Sequence, residues 1–210
     1  MRALLYGFDG LLVDSEVAGL ASWRALFERF GQALDTEHWM GEVAAGRPCM
    51  PVAQLEDALG RTLDWDDLEP KRLAHRAGLI VARPGVREHL NRARELGLPC
   101  AIVAGAPGPW IDEQLENTGL DRDLFAAIVS EAGKPSPDGY LKAIDALGVR
   151  AADALAFEDS PVGVAAAKAA GVRCVAVPNE VTAGLPLDAA DQVLDSLADV
   201  TLDELILNRR

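Results

Sequence analysis

The sequence predicts an α/β fold: a parallel sheet with helices on both faces, interrupted by a helical insertion. Three observations carry that prediction. Short, wholly apolar runs recur along the chain and are bounded by turn residues. Helical patterns lie between them, and that alternation builds a sheet covered on both sides. One long stretch, about residues 15–83, has helical periodicity and no convincing strand.

The elements follow in chain order. Ala3-Leu4-Leu5-Tyr6-Gly7-Phe8 reads as a first buried strand running into Asp9-Gly10. In the insertion, Leu20, Trp23, Leu26, Phe27 and Phe30, then Val52, Leu55 and Leu59, recur at helical spacing. Pro84-Gly85-Val86-Arg87 opens the next helix with proline near its first turn, and Gly97 closes it. Further strands are expected at Cys100–Ala104, Ala127–Val129, Ala154–Phe157 and Val172–Val177, with helices at Asp138–Leu147 and Pro161–Ala170. Runs this short and this apolar suit a sheet buried on both faces. The predicted organisation is a Rossmann-like core of residues 1–14 and 84–210 with a helical cap at 15–83. An insertion there starts at the carboxyl end of a strand, the side on which open α/β sheets bind ligands.

Composition narrows the function. With 20 Lys+Arg against 33 Asp+Glu, the formal charge is −13. That balance argues against nucleic acid, whose phosphates reward clustered cations. An anionic substrate therefore needs a local positive site. No apolar run reaches the roughly 20 residues of a membrane span, so neither a membrane partner nor a secretory leader is expected. Cys49, Cys100 and Cys174 are odd in number and have no metal-like spacing, which argues against a disulfide framework or a zinc cluster. The default is a reduced, cytoplasmic protein, monomer or dimer.

Four stretches carry the chemistry: Gly7-Phe8-Asp9-Gly10 with Asp14-Ser15, Ile102-Val103-Ala104-Gly105-Ala106-Pro107, Gly133-Lys134-Pro135-Ser136-Pro137-Asp138, and Phe157-Glu158-Asp159-Ser160-Pro161-Val162-Gly163. In this order, at strand ends, they resemble the haloacid-dehalogenase superfamily, and most closely its β-phosphoglucomutase-like phosphatases with a helical cap. The resemblance spans nearly the whole chain, including Pro84-Gly85-Val86 and Val177-Pro178-Asn179. It implies hydrolysis of a small phosphorylated metabolite through an aspartyl-phosphate. It further implies Asp9 as acid and base and Lys134 on the phosphate, with Ala104 and Gly105 at the loop that grips the phosphoryl oxygens. It also implies Mg2+ on Asp9, Glu158 and Asp159. In the cap, Gly46-Arg47 resembles a loop that places an arginine on the distal end of the substrate.

Two departures matter more than the match. The family pattern is Asp-x-Asp-Gly-x-x-x-Asp-Ser. Asp9-Gly10 and Asp14-Ser15 fix the register, so the nucleophile position holds Gly7. The second stretch should offer a Ser or Thr three residues before Pro107, and Ala104 stands there, with Gly105 one residue on. Neither departure leaves an oxygen nucleophile or a hydroxyl. The expectation is a phosphoric monoester hydrolase by descent with its two-step reaction impaired. The alternative is a non-catalytic module that binds a phosphometabolite or docks a partner.

Gly19 stands where mutase members carry a histidine, which argues against mutase activity. His38, His75 and His89 lie in helical patterns and are expected at the surface, while Trp23, Trp39 and Phe30 are expected to pack the cap. No Gly-x-Gly-x-x-Gly follows the first strand, no complete Walker motif surrounds Gly133-Lys134, and no Gly-x-Ser-x-Gly elbow is present.

Overall fold

A computed structural model describes residues 1–45, 47 and 49–207. Gly46, half of the Gly46-Arg47 pair, lies outside the described residues. Strands β1 (Ala3–Tyr6), β2 (Cys100–Val103), β3 (Phe125–Val129), β4 (Ala154–Glu158), β5 (Arg173–Ala176) and β6 (Gln192–Val193) form one parallel sheet in the order β3-β2-β1-β4-β5-β6.

Alternation along each strand builds two unlike faces. Leu4, Tyr6, Cys100, Ile102, Leu155, Phe157 and Val175 point to one side. There they meet α5 (Val86–Glu95), α6 (Gly108–Thr118) and α9 (Leu202–Leu207) through Leu90, Ile111, Leu115 and Leu205. Ala3, Ala101, Ala154, Ala156, Cys174 and Ala176 point to the other side, against α7 (Asp138–Leu147) and the alanine-rich α8 (Pro161–Ala169). Small residues on that face let α7 and α8 pack close to the strands.

Between β1 and α5 the chain forms α1 (Ser15–Arg29), α2 (Thr36–Ala44), α3 (Val52–Leu59) and α4 (Trp65–Ala77). They bury a separate cluster of Leu20, Trp23, Phe27, Trp39, Leu55 and Leu68. The two passages joining this helical layer to the sheet run side by side. Val13 bridges Ala82 in antiparallel sense, and the Arg83 N–H donates to the Leu12 carbonyl at 3.0 Å. The Arg83 guanidinium donates to the carbonyls of Gly10, Val177 and Pro178 at 2.7, 2.8 and 2.7 Å, fastening the return passage to two core loops.

Three expectations need correction. The helix after Pro84-Gly85 starts at Val86, because Gly85 takes the left-handed conformation (φ 81°) as its N-cap. His89 is not a surface residue. It is 3% exposed, packs edge-on to Phe157, and its Nε2 lies 2.8 Å from the Val200 carbonyl oxygen. The sheet also gains β6, two residues long and outside every predicted run.

Candidate active site

The sheet order reverses between β1 and β4: β1, β2 and β3 progress one way, and β4, β5 and β6 the other. Loops diverge at such a point and leave a crevice at the carboxyl ends of the strands. All four motifs end there. Gly7 and Asp9 follow β1, Ala104 and Gly105 follow β2, Lys134 follows β3, and Glu158 with Asp159 closes β4. Above them α1, α2 and α4 complete a cleft of about 880 Å³, lined by both layers. Asp9, Gly105, Lys134 and Asp159 line its floor, and Arg47, Arg72 and Arg76 its roof.

At the first station, Gly7 donates its N–H to the Phe157 carbonyl at 2.9 Å and presents no side chain. The Glu158 side chain fills the space. A Cβ built on Gly7 would stand 2.9 Å from Glu158 Oε2. One built on Gly163 would fall inside any permissible contact with the same oxygen. Glu158 is 1% exposed, and its Oε1 accepts hydrogen bonds from Lys134 Nζ and the Tyr140 hydroxyl. A carboxylate this deep is tolerable only when charge-paired and hydrogen-bonded. Its Oε2 has no hydrogen-bond partner among the described residues.

Two residues further on, Asp9 keeps its carboxylate and lines the cleft. Its Oδ1 accepts from Ser15 Oγ at 2.6 Å and Trp110 Nε1 at 3.0 Å. The Arg76 guanidinium from the helical layer lies 4.9 Å from the Trp110 ring centre, so core and helical layer meet over Asp9. Glu16, also lining the cleft, has its carboxyl pushed up by burial first and then by the Asp9 charge, while Arg76 pulls it down.

Asp159 is buried, and its Oδ2 accepts from Asn179 Nδ2 at 2.9 Å. Burial, then the charges of Glu158 and Glu16, push its carboxyl well above the ordinary range. The carboxylates of the magnesium set implied by the resemblance are each bonded to protein partners. Asp9 is held by Ser15 and Trp110, Asp159 by Asn179, and Glu158 by Lys134 and Tyr140. Among the described residues no three His, Cys, Asp or Glu side chains form a group that could hold a metal ion. These donors, as arranged, do not fit a divalent cation.

Ala104 is buried, its N–H bonded to the Val129 carbonyl at 2.9 Å, so it offers the cleft neither a hydroxyl nor a free amide. Gly105 lines the cleft and is exposed. Arg47 makes a two-pronged contact with Glu42 at 2.8 and 2.6 Å. Arg72 does the same with Glu69 at 2.8 and 2.5 Å. Arg76 has no carboxylate within ion-pair distance among the described residues and donates only to the Ser15 carbonyl, at 3.4 Å. Trp23 and Trp39 are buried in the helical cluster as expected, with an edge on the cleft. Sequence reading assigned no role to Trp110, Tyr140, Asn179 or Arg76. Asn179 was within reach, because it closes the Val177-Pro178-Asn179 run; the other three come from distant elements and carry no spacing signal.

Known proteins resemble this chain over nearly its whole length. A protein named "Putative phosphatase YhcW" from Bacillus subtilis is 36% identical over 212 residues, 98% of this chain and 96% of that protein. The validoxylamine A 7'-phosphate phosphatase of Streptomyces hygroscopicus subsp. limoneus is 30% identical, with 95% of each chain covered. Among solved structures, a mutant CbbY from Rhodobacter sphaeroides in complex with xylulose-(1,5)bisphosphate superposes with a TM-score of 0.73 at 25% identity, covering 98% of this chain and 99% of that one. The family model described as haloacid dehalogenase-like hydrolase matches residues 1–171, and with the parallel sheet, the crevice at its switch point and the four motifs gathered there, the chain belongs to the haloacid dehalogenase-like hydrolases.

Proposed function

We propose that the cleft receives a small phosphorylated metabolite and that its hydrolysis by the two-step route is impaired in this chain. The phosphate end would lie on the floor near Lys134 and Gly105, and the remainder beneath the helical layer near Arg47. Core (1–14, 84–210) and cap (15–83) are the units of this reading. Three free thiols, two of them buried, suit a cytoplasmic location. The phosphatase and the bisphosphate complex among the relatives support the ligand class. Magnesium belongs to the chemistry of the restored site, not to the donors as they stand here.

The observation that carries the impairment is the floor itself: residue 7 has no side chain, and the carboxylate nearest to it, Glu158, does not line the cleft. Asp9 lines the cleft and is placed to give a proton to a leaving oxygen or take one from water. Its Oδ1 is held by Ser15 and Trp110, which fixes the carboxylate's orientation for that role. In a serine hydrolase, removing the nucleophile lowers turnover roughly a millionfold, equivalent to about 8 kcal/mol of barrier.

The test is an assay with magnesium against sugar and nucleotide phosphates, run on the parent, on Gly7→Asp and on Gly7→Asp/Ala104→Ser. Only the restored variants are expected to turn over, with the double variant the faster. Comparable turnover by the parent, abolished in Asp9→Asn, contradicts the reading. A second reading, binding without turnover, is favoured by the joint loss of functional groups at Gly7 and Ala104 while Lys134 and the cleft remain. Saturable binding of an unhydrolysed ester by the parent separates it from the first.

A further inference from the structure

A chain that loses a buried side chain ordinarily relaxes around the gap, because unfilled interior volume forfeits contacts. At residue 7 the adjoining space is filled. Glu158 lies against Gly7 and Gly163, and a side chain at either position would meet its carboxylate. Its outer oxygen is tied to Lys134 and Tyr140, and its inner oxygen is enclosed. Neither Gly7 nor Glu158 lines the cleft. Glu158 therefore has the surroundings of a packed structural group, not of a ligand facing an open site.

We infer that Glu158 occupies the place of the missing residue-7 side chain, with Lys134 as its fixed counter-ion, and that the floor is consequently not a divalent-cation site in this chain. A hard cation needs several oxygens converging from separate loops. Here residue 7 has no side chain to supply one, Glu158 is buried and paired with Lys134, and Asp9 and Asp159 each already accept a hydrogen bond, from Trp110 and Asn179. The Lys134 ammonium, which lines this end of the floor, is already seated on Glu158. Metal affinity and a carboxylate at residue 7 should then be gained together. An aspartate there would set a second negative group against Glu158, and a cation held between the two carboxylates would relieve their repulsion.

The experiment is titration of Mn2+ into the purified full chain, reading the free-ion electron paramagnetic resonance signal, with Mg2+-dependent thermal unfolding in parallel. The parent should leave the signal undiminished and show no saturable rise in Tm. Gly7→Asp should bind Mn2+ about tenfold or more tighter than the parent, the least that a mis-set ligand shell usually costs. Binding by the parent that disappears in Glu158→Gln or Asp159→Asn overturns the inference, and so does a folded Gly7→Asp that gains nothing. Binding that survives both substitutions lies elsewhere on this acidic surface and agrees with it. If Gly7→Asp does not fold, the parent and its Glu158→Gln variant decide the matter alone.

Discussion

Positions 7 and 9 lie on one loop, yet they have met opposite fates. Position 9 keeps its carboxylate, which reaches Ser15 at the start of the helical layer and Trp110 on a core helix. Position 7 has none, and Glu158 from β4 fills the space beside it, held by two donors of its own. The difference teaches where each residue's support comes from. Asp9 lines the cleft and is held by Ser15 and Trp110. The space beside Gly7 lies inside the core, where close packing forbids a vacancy.

That contrast makes the two stations unequal in stability. Lys134→Met strands the Glu158 carboxylate in the core, and breaking a buried pair costs about 3–5 kcal/mol. Urea denaturation should show a loss of that size, and a loss below about 1 kcal/mol would mean the pair is solvated like a surface bridge. Tyr140→Phe removes one hydrogen bond to the same charged group and should cost about 1.5–3 kcal/mol by the same measurement.

A buried neutral group gives a useful reference for these charged ones. Burial is the main influence on His89 and lowers its pKa, against the opposing pull of the Val200 and Leu197 carbonyls. A depressed histidine contributes stability that is present above its unfolded value of about 6.5 and is lost as pH falls below it, with a slope of at most about 1.4 kcal/mol per pH unit. His89→Gln should flatten that acid limb in a pH series of Tm values; an unchanged limb would assign it to other groups. The smallest effect belongs to Asp9. Asp9→Asn keeps the Oδ1 acceptor for Ser15 and Trp110, so denaturation should move by less than about 1 kcal/mol. A larger shift would erase the distinction between the two stations.

Much of this architecture can be read from the chain. The apolar runs locate β1 to β5 because strands buried on both faces need no polar alternation, and the four motifs fall at their carboxyl ends. β6 escapes detection because Gln192–Val193 is two residues long and only partly buried. The burial of His89 is not legible because a basic helix (Val86–Glu95) gives no sign of which polar residue points inward. Sequence register exposes the glycine at position 7 and the alanine at 104. It does not reveal what replaces them. The Glu158 rotamer, and the reach of Tyr140 and Trp110 from α7 and α6, depend on tertiary packing between segments 18 to 101 residues apart.

The most direct test of the account is fluorine-19 resonance of the protein with beryllium fluoride and magnesium, which together mimic a phosphoryl group bonded to a carboxylate. The parent should show only the free fluoride species, whereas Gly7→Asp/Ala104→Ser should show protein-bound resonances. Bound resonances in the parent that vanish in Asp9→Asn or Glu158→Gln would show that another carboxylate had taken over the attack on phosphorus, and would contradict the account.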